Sequence, residues 1–218
     1  MSAALRRDLR RIYDAAIAAA APGPLIDRAF DGLISGGDAI RANLERARRI
    51  LLVAAGKAAV PMAERVVARC AAKLAVAVAT APAPSSPSQI RGLEVIRAGH
   101  PMPDAGSLRA AEAALAIARS ANEGDLLIIA LSGGASAMLA MPAAGIALDD
   151  KIAVSRALMN SGAPIRELNA VRKHLSAIKG GGLLAATAGA AVLTLALSDV
   201  IGNDLATIGS GPAAALAQ

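Results

Sequence analysis

The sequence predicts an α/β fold built on a doubly wound, mainly parallel sheet with helices on both faces. Continuous apolar runs, clearest at residues 50–54 and 126–131, lack the polar alternation of half-exposed strands, so we expect both of their faces to be buried. Alanine-rich helical segments lie between such runs, and this alternation is typical of a parallel sheet. Only 1% of the residues are aromatic although 55% are hydrophobic. The core must therefore consist of small aliphatic side chains, which let helices pack close to a sheet.

The amino-terminal part of the chain is predicted to hold two helices before the first strand. Residues 3–21 have the apolar spacing of an amphipathic helix, which we expect Pro22-Gly23-Pro24 to end. A second, short helix at about 25–34 stops at the glycines that follow it. The uncharged run at 50–54 is the first buried strand. Gly56-Lys57 follows this strand at once and leads into a helix that continues to about residue 72.

The middle of the chain continues the alternation. Asp104 follows a loop that two prolines stiffen, and it is placed to cap a long alanine-rich helix. The elements predicted here are strands at 74–79 and 93–97, a proline- and serine-rich loop at 81–88, a helix at 105–121 and the clearest strand at 126–131.

The last third of the chain is predicted to complete a Rossmann-like three-layer sandwich. Asp149 is placed to cap one of its helices. Polar turns follow the strands that end near residues 54, 131 and 197, and ligands bind at this carboxyl edge in doubly wound sheets. The remaining predicted elements are a short helix after the turn at 132–136, helices at 150–161 and 165–177, a short helix after three glycines, and a strand at 192–197.

Charge and composition argue against several classes of protein. The formal net charge is +6, but the arginines fall on predicted helix faces, where solvation explains them. Tyr13 and Phe30 are the only aromatic residues, so stacking on nucleic-acid bases is not expected. The single cysteine, Cys70, excludes a disulfide framework within the chain and favours a buried thiol in a reducing cytoplasm. Glycines and prolines interrupt the two long uncharged runs, so no membrane span is predicted.

Lys57 is the first candidate for chemistry. It stands at the beginning of a predicted helix, where the helix dipole disfavours a cation. An anionic ligand between the ammonium and the helix would account for this position, and so would a lysine that bends into solvent. Gly56-Lys57 is not a Walker A loop, because the required earlier glycine and following Ser or Thr are missing.

The turn Ser132-Gly133-Gly134-Ala135-Ser136 is the second candidate. Its glycines allow a ligand to approach the backbone, and its N–H groups and hydroxyls are donors for a phosphate or carboxylate. A tight strand-to-helix turn with a capping serine is the alternative. Met138 stands where a serine-hydrolase elbow needs its last glycine, so a hydrolase is not favoured.

Basic and acidic side chains near the later turns could complete an anion site. Arg172, Lys173 and Lys179 could neutralise phosphate charge, or form one solvated helix face. The glycines after Lys179 match G-x-G-x-x-A only loosely, and a helix precedes them, so we reject a dinucleotide fingerprint.

The loop after the last strand carries Asp199 and, five residues later, Asp204. Either carboxylate could act as a base or hold Mg²⁺, or simply cap a turn. His100 could contact a substrate, whereas His174 is expected to be a satisfied helix residue.

Taken together, these motifs resemble the glycerate 2-kinase family, whose members are also often named hydroxypyruvate reductases. The resemblance extends over nearly the whole chain, in the family's order. The matching stretches are Ala54-Ala55-Gly56-Lys57-Ala58-Ala59, Gly99-His100-Pro101-Met102-Pro103-Asp104, Leu131-Ser132-Gly133-Gly134-Ala135-Ser136-Ala137, Asn169-Ala170-Val171-Arg172-Lys173-His174-Leu175-Ser176, Ile178-Lys179-Gly180-Gly181, Ser198-Asp199-Val200 and Ser210-Gly211-Pro212.

The resemblance implies phosphorylation of D-glycerate at its 2-hydroxyl with ATP and Mg²⁺. The family's catalytic lysine falls on Lys57 and its catalytic aspartate on Asp199, which would orient or deprotonate the hydroxyl. Two positions depart from the family pattern: Gly182 replaces a usual basic residue, and Asn203-Asp204 replaces a frequent Asp pair.

Members of this family carry a second, carboxyl-terminal domain. We therefore expect residues 1–218 to form a Rossmann-like amino-terminal domain whose carboxyl-terminal domain is absent, and which does not turn over alone. Exposed apolar surface would favour that missing partner or a homodimer. The alternatives to a kinase are a non-catalytic phosphate-binding module and, third, a nicotinamide-dependent reductase.

Overall fold

The computed structural model describes residues 2–83 and 90–214. Five parallel strands form one sheet in the order β3-β2-β1-β4-β5. The strands are β1 Arg49–Ala55, β2 Leu74–Ala81, β3 Leu93–Arg97, β4 Asp125–Leu131 and β5 Ala191–Ala196. The helices are α1 Ala3–Ala19, α2 Pro22–Phe30, α3 Gly37–Arg46, α4 Ala59–Cys70, α5 Ala105–Ser120, α6 Ala135–Met138, α7 Leu148–Asn160, α8 Ile165–His174 and α9 Gly182–Ala185, with a 3₁₀ turn at Ile208–Ser210.

Helices cover both faces of the sheet, so the predicted doubly wound three-layer fold is confirmed. One face packs the even-numbered side chains of β1 and β4 against α2 and α4; this core includes Leu52, Ile128, Phe30, Met62 and Val66. The other face packs the odd-numbered side chains against α5 and α9; this core includes Val53, Ile129, Ala114, Ile178 and Leu183. Four of the buried α5 residues are alanines, which allow this helix to pack close to the sheet, whereas α2 and α4 contribute mainly larger apolar side chains.

Cys70 is a buried core residue, as predicted. Desolvation raises the pKa of its thiol to about 11, which keeps it protonated and unreactive near neutral pH.

Several predicted boundaries are wrong, for local reasons. Pro22 begins α2 instead of only ending α1, because proline is well suited to the first turn of a helix. Helix α3 was not predicted; it begins after Gly36, which has a left-handed conformation. Asp149 lies inside the first turn of α7 and does not cap it, since Ala147 holds the capping position. Helix α8 ends at His174 and not at residue 177.

Two further comparisons concern the loops and the membrane. Strand β2 continues to Ala81, and residues 84–88 of the predicted proline- and serine-rich loop lie outside the described residues. Among the helices that the structure describes, none combines the length and the apolar character that crossing a bilayer would require.

The carboxyl ends of three neighbouring strands are level. Ala55 of β1 pairs with Leu131 of β4, which pairs with Ala196 of β5. The polar turns that follow these residues therefore meet at one edge of the sheet, as the sequence predicted.

Candidate functional site

The turns after β1 and β4 are fastened to each other. The Lys57 N–H donates to the Gly133 carbonyl at 2.9 Å, and the Ala58 N–H donates to Ser132 Oγ at 3.0 Å. A Cβ at Gly56 would lie 2.3 Å from Ser132 Oγ, so only glycine fits at this crossing. The buried Ser132 hydroxyl thus holds the two turns together, and its predicted contact with a ligand stays a prediction.

The turn at 132–136 presents unpaired backbone donors. Within residues 2–83 and 90–214, the N–H groups of Gly133, Gly134 and Ser136 donate to no protein acceptor. Gly134 has a φ of 90°, a left-handed conformation that points consecutive amides in a similar direction. The turn lines a depression of about 100 Å³ together with Leu197, Asp199, Val200, Ile208 and Gly209. This arrangement can bind an anion through the backbone alone.

Lys57, His100 and Asp199 all surround this turn. A Cβ placed on Gly134 would lie 3.5 Å from Lys57 Cε and 3.2 Å from His100 Nε2. A Cβ placed on Gly133 would lie 3.5 Å from Asp199 Oδ2. All three side chains are exposed, and no described residue forms an ion pair with Lys57 or Asp199. A cation and a carboxylate therefore both lie beside the free amides of this turn.

Hydrogen bonds to Asp104 fix the loop that carries His100. Asp104 caps α5 as predicted, with Oδ1 accepting from the Ser107 N–H at 2.9 Å and from the Gly99 N–H at 2.9 Å. Although partial burial opposes it, the donated hydrogen bonds lower the pKa of this carboxyl. The same side chain thus begins the helix and fixes the start of the loop beside the turn.

A second, more enclosed cavity of about 210 Å³ lies on the other side of Gly134 and Ser136. It is strongly basic, because Lys151, Arg172 and Lys179 all line it. The remaining lining comes from His100–Pro103, Ala137, Ile152 and Ser155. Gly134 and Ser136 line both the cavity and the depression, so the two spaces share a wall.

The three cations of this cavity are poorly solvated. Lys179 is almost completely buried and donates to the carbonyl and hydroxyl oxygens of Ser136, each at 2.6 Å. Burial, reinforced by Lys151 and Arg172, holds the pKa of Lys179 well below its usual value. Burial and then Arg172 lower the pKa of Lys151 to about 8, and burial also lowers the pKa of Arg172. The direction of these shifts agrees with the lining of the cavity, which contains no carboxylate.

The glycines after Lys179 have a structural role. The Gly180 N–H donates to the Ser210 carbonyl at 3.0 Å, and the Gly181 N–H donates to the Gly211 carbonyl at 2.7 Å. Ser136 Oγ and Ser210 Oγ are also 2.7 Å apart. The loop therefore uses its amides to anchor the segment after β5 and to position Lys179.

Lys173 and Asp204 lie apart from this cluster, in a depression of about 450 Å³ that also contains His174. The carboxylate of Asp204 accepts from Thr207 Oγ1 at 2.6 Å and from the Ala206 N–H at 3.0 Å. The Thr207 hydrogen bond is the main cause of its lowered pKa. His174 Nδ1 lies 2.9 Å from the Ala170 carbonyl, which fits the predicted satisfied helix residue.

The structure thus separates the two carboxylates suggested as metal ligands. Asp199 faces the turn, whereas Asp204 belongs to the other depression. Among the described residues, no three His, Cys, Asp or Glu side chains cluster as a metal site would require. Metal binding by Asp199 or Asp204 stays a prediction.

Lys151 was missed by sequence reasoning. Its α7 neighbour Ser155 is also buried, and the i, i+4 spacing puts both on one helix face. A lysine on a buried helix face was the signal that could have found it, but the sequence does not show which face of α7 is buried.

Comparisons with known proteins show the family to which the chain belongs. Residues 8–217 match the family described as "Domain of unknown function (DUF4147)". The chain belongs to this family. The predicted resemblance to glycerate 2-kinases is also confirmed, since the D-glycerate 2-kinase of Thermotoga maritima is 39% identical over 165 residues, covering 76% of this chain and 40% of that protein.

Two further matches have similar identity and also cover most of this chain. A protein of Agrobacterium vitis, provisionally named a hydroxypyruvate reductase, is 42% identical to this chain. The match covers 96% of this chain and 45% of that protein. The crystal structure of glycerate kinase from Thermotoga maritima superposes with a TM-score of 0.74 at 32% identity, over 91% of this chain and 48% of that chain. The chain therefore spans less than half the length of these relatives.

Proposed function

We propose that this chain forms the substrate- and phosphate-binding part of an ATP-dependent glycerate 2-kinase, which phosphorylates D-glycerate. The observation that carries the proposal is the convergence of Lys57, Asp199 and the free amides of Gly133 and Gly134 on one turn. Relatives named glycerate kinase share the family and the fold, which supports the same chemistry here.

Each group has a role in phosphoryl transfer that its position supports. Asp199 accepts the proton of the substrate hydroxyl, or orients that hydroxyl toward the phosphorus atom. Lys57 stabilises the negative charge on the transferred group, and the amides of the turn hold its oxygens. Because the turn is fixed by the Ser132 hydrogen bond, its donors need little rearrangement during the reaction.

Magnesium fits this donor set in a limited way. Mg²⁺ is commonly held by one or two carboxylates together with substrate phosphates, so Asp199 can be one ligand while the nucleotide supplies others. When bound, the ion would neutralise phosphate charge. Lys173 and Asp204, in the neighbouring depression, are expected to contribute less.

A nicotinamide-dependent reductase is less well supported. The loose G-x-G-x-x-A match follows helix α8, and two of its amides are already bonded to the segment at 210–211. A non-catalytic binding module shares the same turn and differs only in turnover, so the experiment must measure both binding and transfer.

The test combines calorimetry with ³¹P NMR on the purified 218-residue chain. We expect ATP with Mg²⁺ and D-glycerate to bind, and Lys57→Ala to weaken nucleotide binding by about tenfold or more. We expect Asp199→Asn to reduce any phosphoryl transfer by about 100-fold or more. The exposed Arg156→Ala and Asp150→Asn variants control for the change in net charge.

Two results would contradict the proposal. One is a folded wild-type chain that binds neither ligand. The other is unchanged binding and transfer in both Lys57→Ala and Asp199→Asn. Binding without transfer in the wild-type chain, lost in Lys57→Ala, would support the site and favour the non-catalytic alternative for the chain by itself.

A further inference from the structure

The basic cavity holds three cations and no acid. Lys151, Arg172 and Lys179 line it, and among its lining residues, all of which the structure describes, there is no Asp or Glu. Lys151 is 4% exposed and Lys179 is 5% exposed. Burying unpaired charges is costly, and folded proteins normally pair them or neutralise them.

Protein acceptors satisfy only part of this group. An ammonium has three donors. Within the described residues, Lys151 Nζ makes one hydrogen bond, to the Met141 carbonyl at 3.2 Å, and Lys179 Nζ makes two, both to Ser136. Arg172 contacts the thioether of Met159 at 3.6 Å. Each of the three side chains therefore keeps at least one donor without an acceptor among the described residues, so an anion is a partner that fits.

The other walls indicate what kind of anion this is. Pro101, Met102, Pro103 and Ile152 give the cavity an apolar side. Its volume of about 210 Å³ is smaller than the roughly 300–1,000 Å³ of sites that hold drug-sized ligands, so it cannot enclose a nucleotide. A short carbon skeleton against the apolar side, with a carboxylate toward the cations, uses both surfaces.

The position of the cavity connects it to the reaction. Gly134 and Ser136 separate it from the depression that contains Asp199, and Gly134 lies against Lys57 and His100. An acid anchored by its carboxylate would extend its hydroxyl-bearing end toward this shared wall.

We propose that the cavity is the subsite for the carboxylate of a small hydroxy acid, and that Lys151 is one of its anion-binding residues together with Arg172 and Lys179. This inference rests on the proposed function, because it names the substrate end that enters the cavity. The phosphoryl group is then left to the turn at 132–136.

The test is calorimetric titration of the full chain with D-glycerate, D-lactate, pyruvate, inorganic phosphate and ATP with Mg²⁺. We expect the carboxylates to bind, and Lys151→Met to weaken their binding by about 10- to 100-fold, as expected for the loss of a charge-assisted hydrogen bond. Lys151→Arg should retain most of the affinity, and Arg156→Met, on the exposed side of the same helix, should retain all of it. Binding of ATP should be unchanged in all three variants.

Proton uptake provides a readout that a purely structural lysine would not change. An anion beside Lys151 raises the pKa of an ammonium that now titrates near 8. Carboxylate binding at about that pH should therefore take up protons, seen as a dependence of the calorimetric heat on the buffer. Lys151→Met should reduce this uptake.

The outcomes separate this inference from the kinase proposal. Carboxylate binding that depends on Lys151, without nucleotide binding, supports the subsite and contradicts the nucleotide-binding part of the kinase proposal. Nucleotide binding without carboxylate binding overturns the subsite and leaves the kinase. If binding of inorganic phosphate or ATP depends on Lys151 and binding of the carboxylates does not, the subsite is also overturned. If Lys151→Met does not fold, the same comparison is made with Arg172→Gln, whose side chain is partly exposed.

Discussion

The two edges of the sheet handle buried charge in opposite ways. At the amino edge, the fully buried carboxylate of Asp125 is surrounded by donors. Arg49 and Arg48 form ion pairs with it, and the Asn122 N–H donates to Oδ2 at 3.0 Å. At the carboxyl edge, Lys151 and Lys179 are buried with no described carboxylate beside them.

The two edges therefore have different roles, one in stability and one in ligand binding. A charge that protein groups compensate stabilises the fold, because ionisation and folding favour each other. A charge without compensation reduces stability until a ligand supplies the opposite sign. The ion pairs at the amino edge therefore stabilise the start of β1 and β4. The cations at the carboxyl edge are available to bind an anion.

The largest change in stability is expected at the amino edge. Asp125→Asn removes the charge that both arginines share, and we expect a loss of about 2–3 kcal/mol in the free energy of unfolding. Hydrogen bonds from Arg49, Asn122 and Arg48, against the opposing effect of burial, lower the pKa of Asp125 far below its usual value. Its contribution is therefore complete above the ordinary carboxyl pKa of about 4 and is lost as the pH falls below it.

Urea unfolding at several pH values checks this prediction. The difference between wild type and Asp125→Asn should shrink as the pH falls from 6 toward 3. Asp150→Asn, at an exposed position on α7, serves as the control. Equal stability of Asp125→Asn and wild type at pH 6 would remove the contrast between the edges.

At the carboxyl edge, we expect the removal of a buried charge to raise stability instead of lowering it. Lys151→Met should raise the stability of the ligand-free chain, by about 1–2 kcal/mol at pH 7, because it removes a poorly solvated charge at the expense of one hydrogen bond. Lys151 has a folded-state pKa of about 8, below its ordinary 10.5, so the unfolded chain binds more protons between these values. Wild-type stability should rise across this pH range, and the advantage of the variant should disappear.

Thermal unfolding in a buffer without phosphate or carboxylate measures this effect, with Arg156→Met as the charge-matched control. A Lys151→Met chain that is less stable than wild type at pH 7 would mean that the lysine is structural, which would break the comparison.

The last prediction distinguishes two adjacent glycines in the turn, and it includes the smallest change, at Gly133. Gly134→Ala puts a Cβ on a residue with a φ of 90° and 2.8 Å from His100 Cδ2, so we expect a loss of about 1–2 kcal/mol and weakened binding of ATP with Mg²⁺. At Gly133 the added Cβ would make only an ordinary 3.5 Å contact with Asp199 Oδ2. Gly133→Ala should therefore change stability by less than about 0.5 kcal/mol. Chemical denaturation and calorimetry of both variants test this, and an equal loss in both would contradict it.

The residue pattern alone predicts the fold class and the edge of the sheet at which the candidate site lies. Uninterrupted apolar runs at 50–54 and 126–131 require burial on both faces, and the turns after parallel strands must meet at one edge. Lys57, Asp199 and the turn at 132–136 were predicted to lie together on this reasoning and on family resemblance, whereas His100 was a separate candidate. The capping role of Asp104 was also readable, since it depends on residues only three to five positions away.

The division of the remaining polar residues between the two depressions and the basic cavity depends on how the elements pack. Asp199 and Asp204 are five residues apart, yet a turn sends their carboxylates to different depressions. Lys179 enters the basic cavity because the glycines after it pair with the segment at 210–211. Arg172 and Lys173 are adjacent on α8, yet they line different cavities. Lys151 joins the group because α7 packs one face inward. Such long-range contacts depend on how elements pack, and the spacing of residues along the chain carries no record of them.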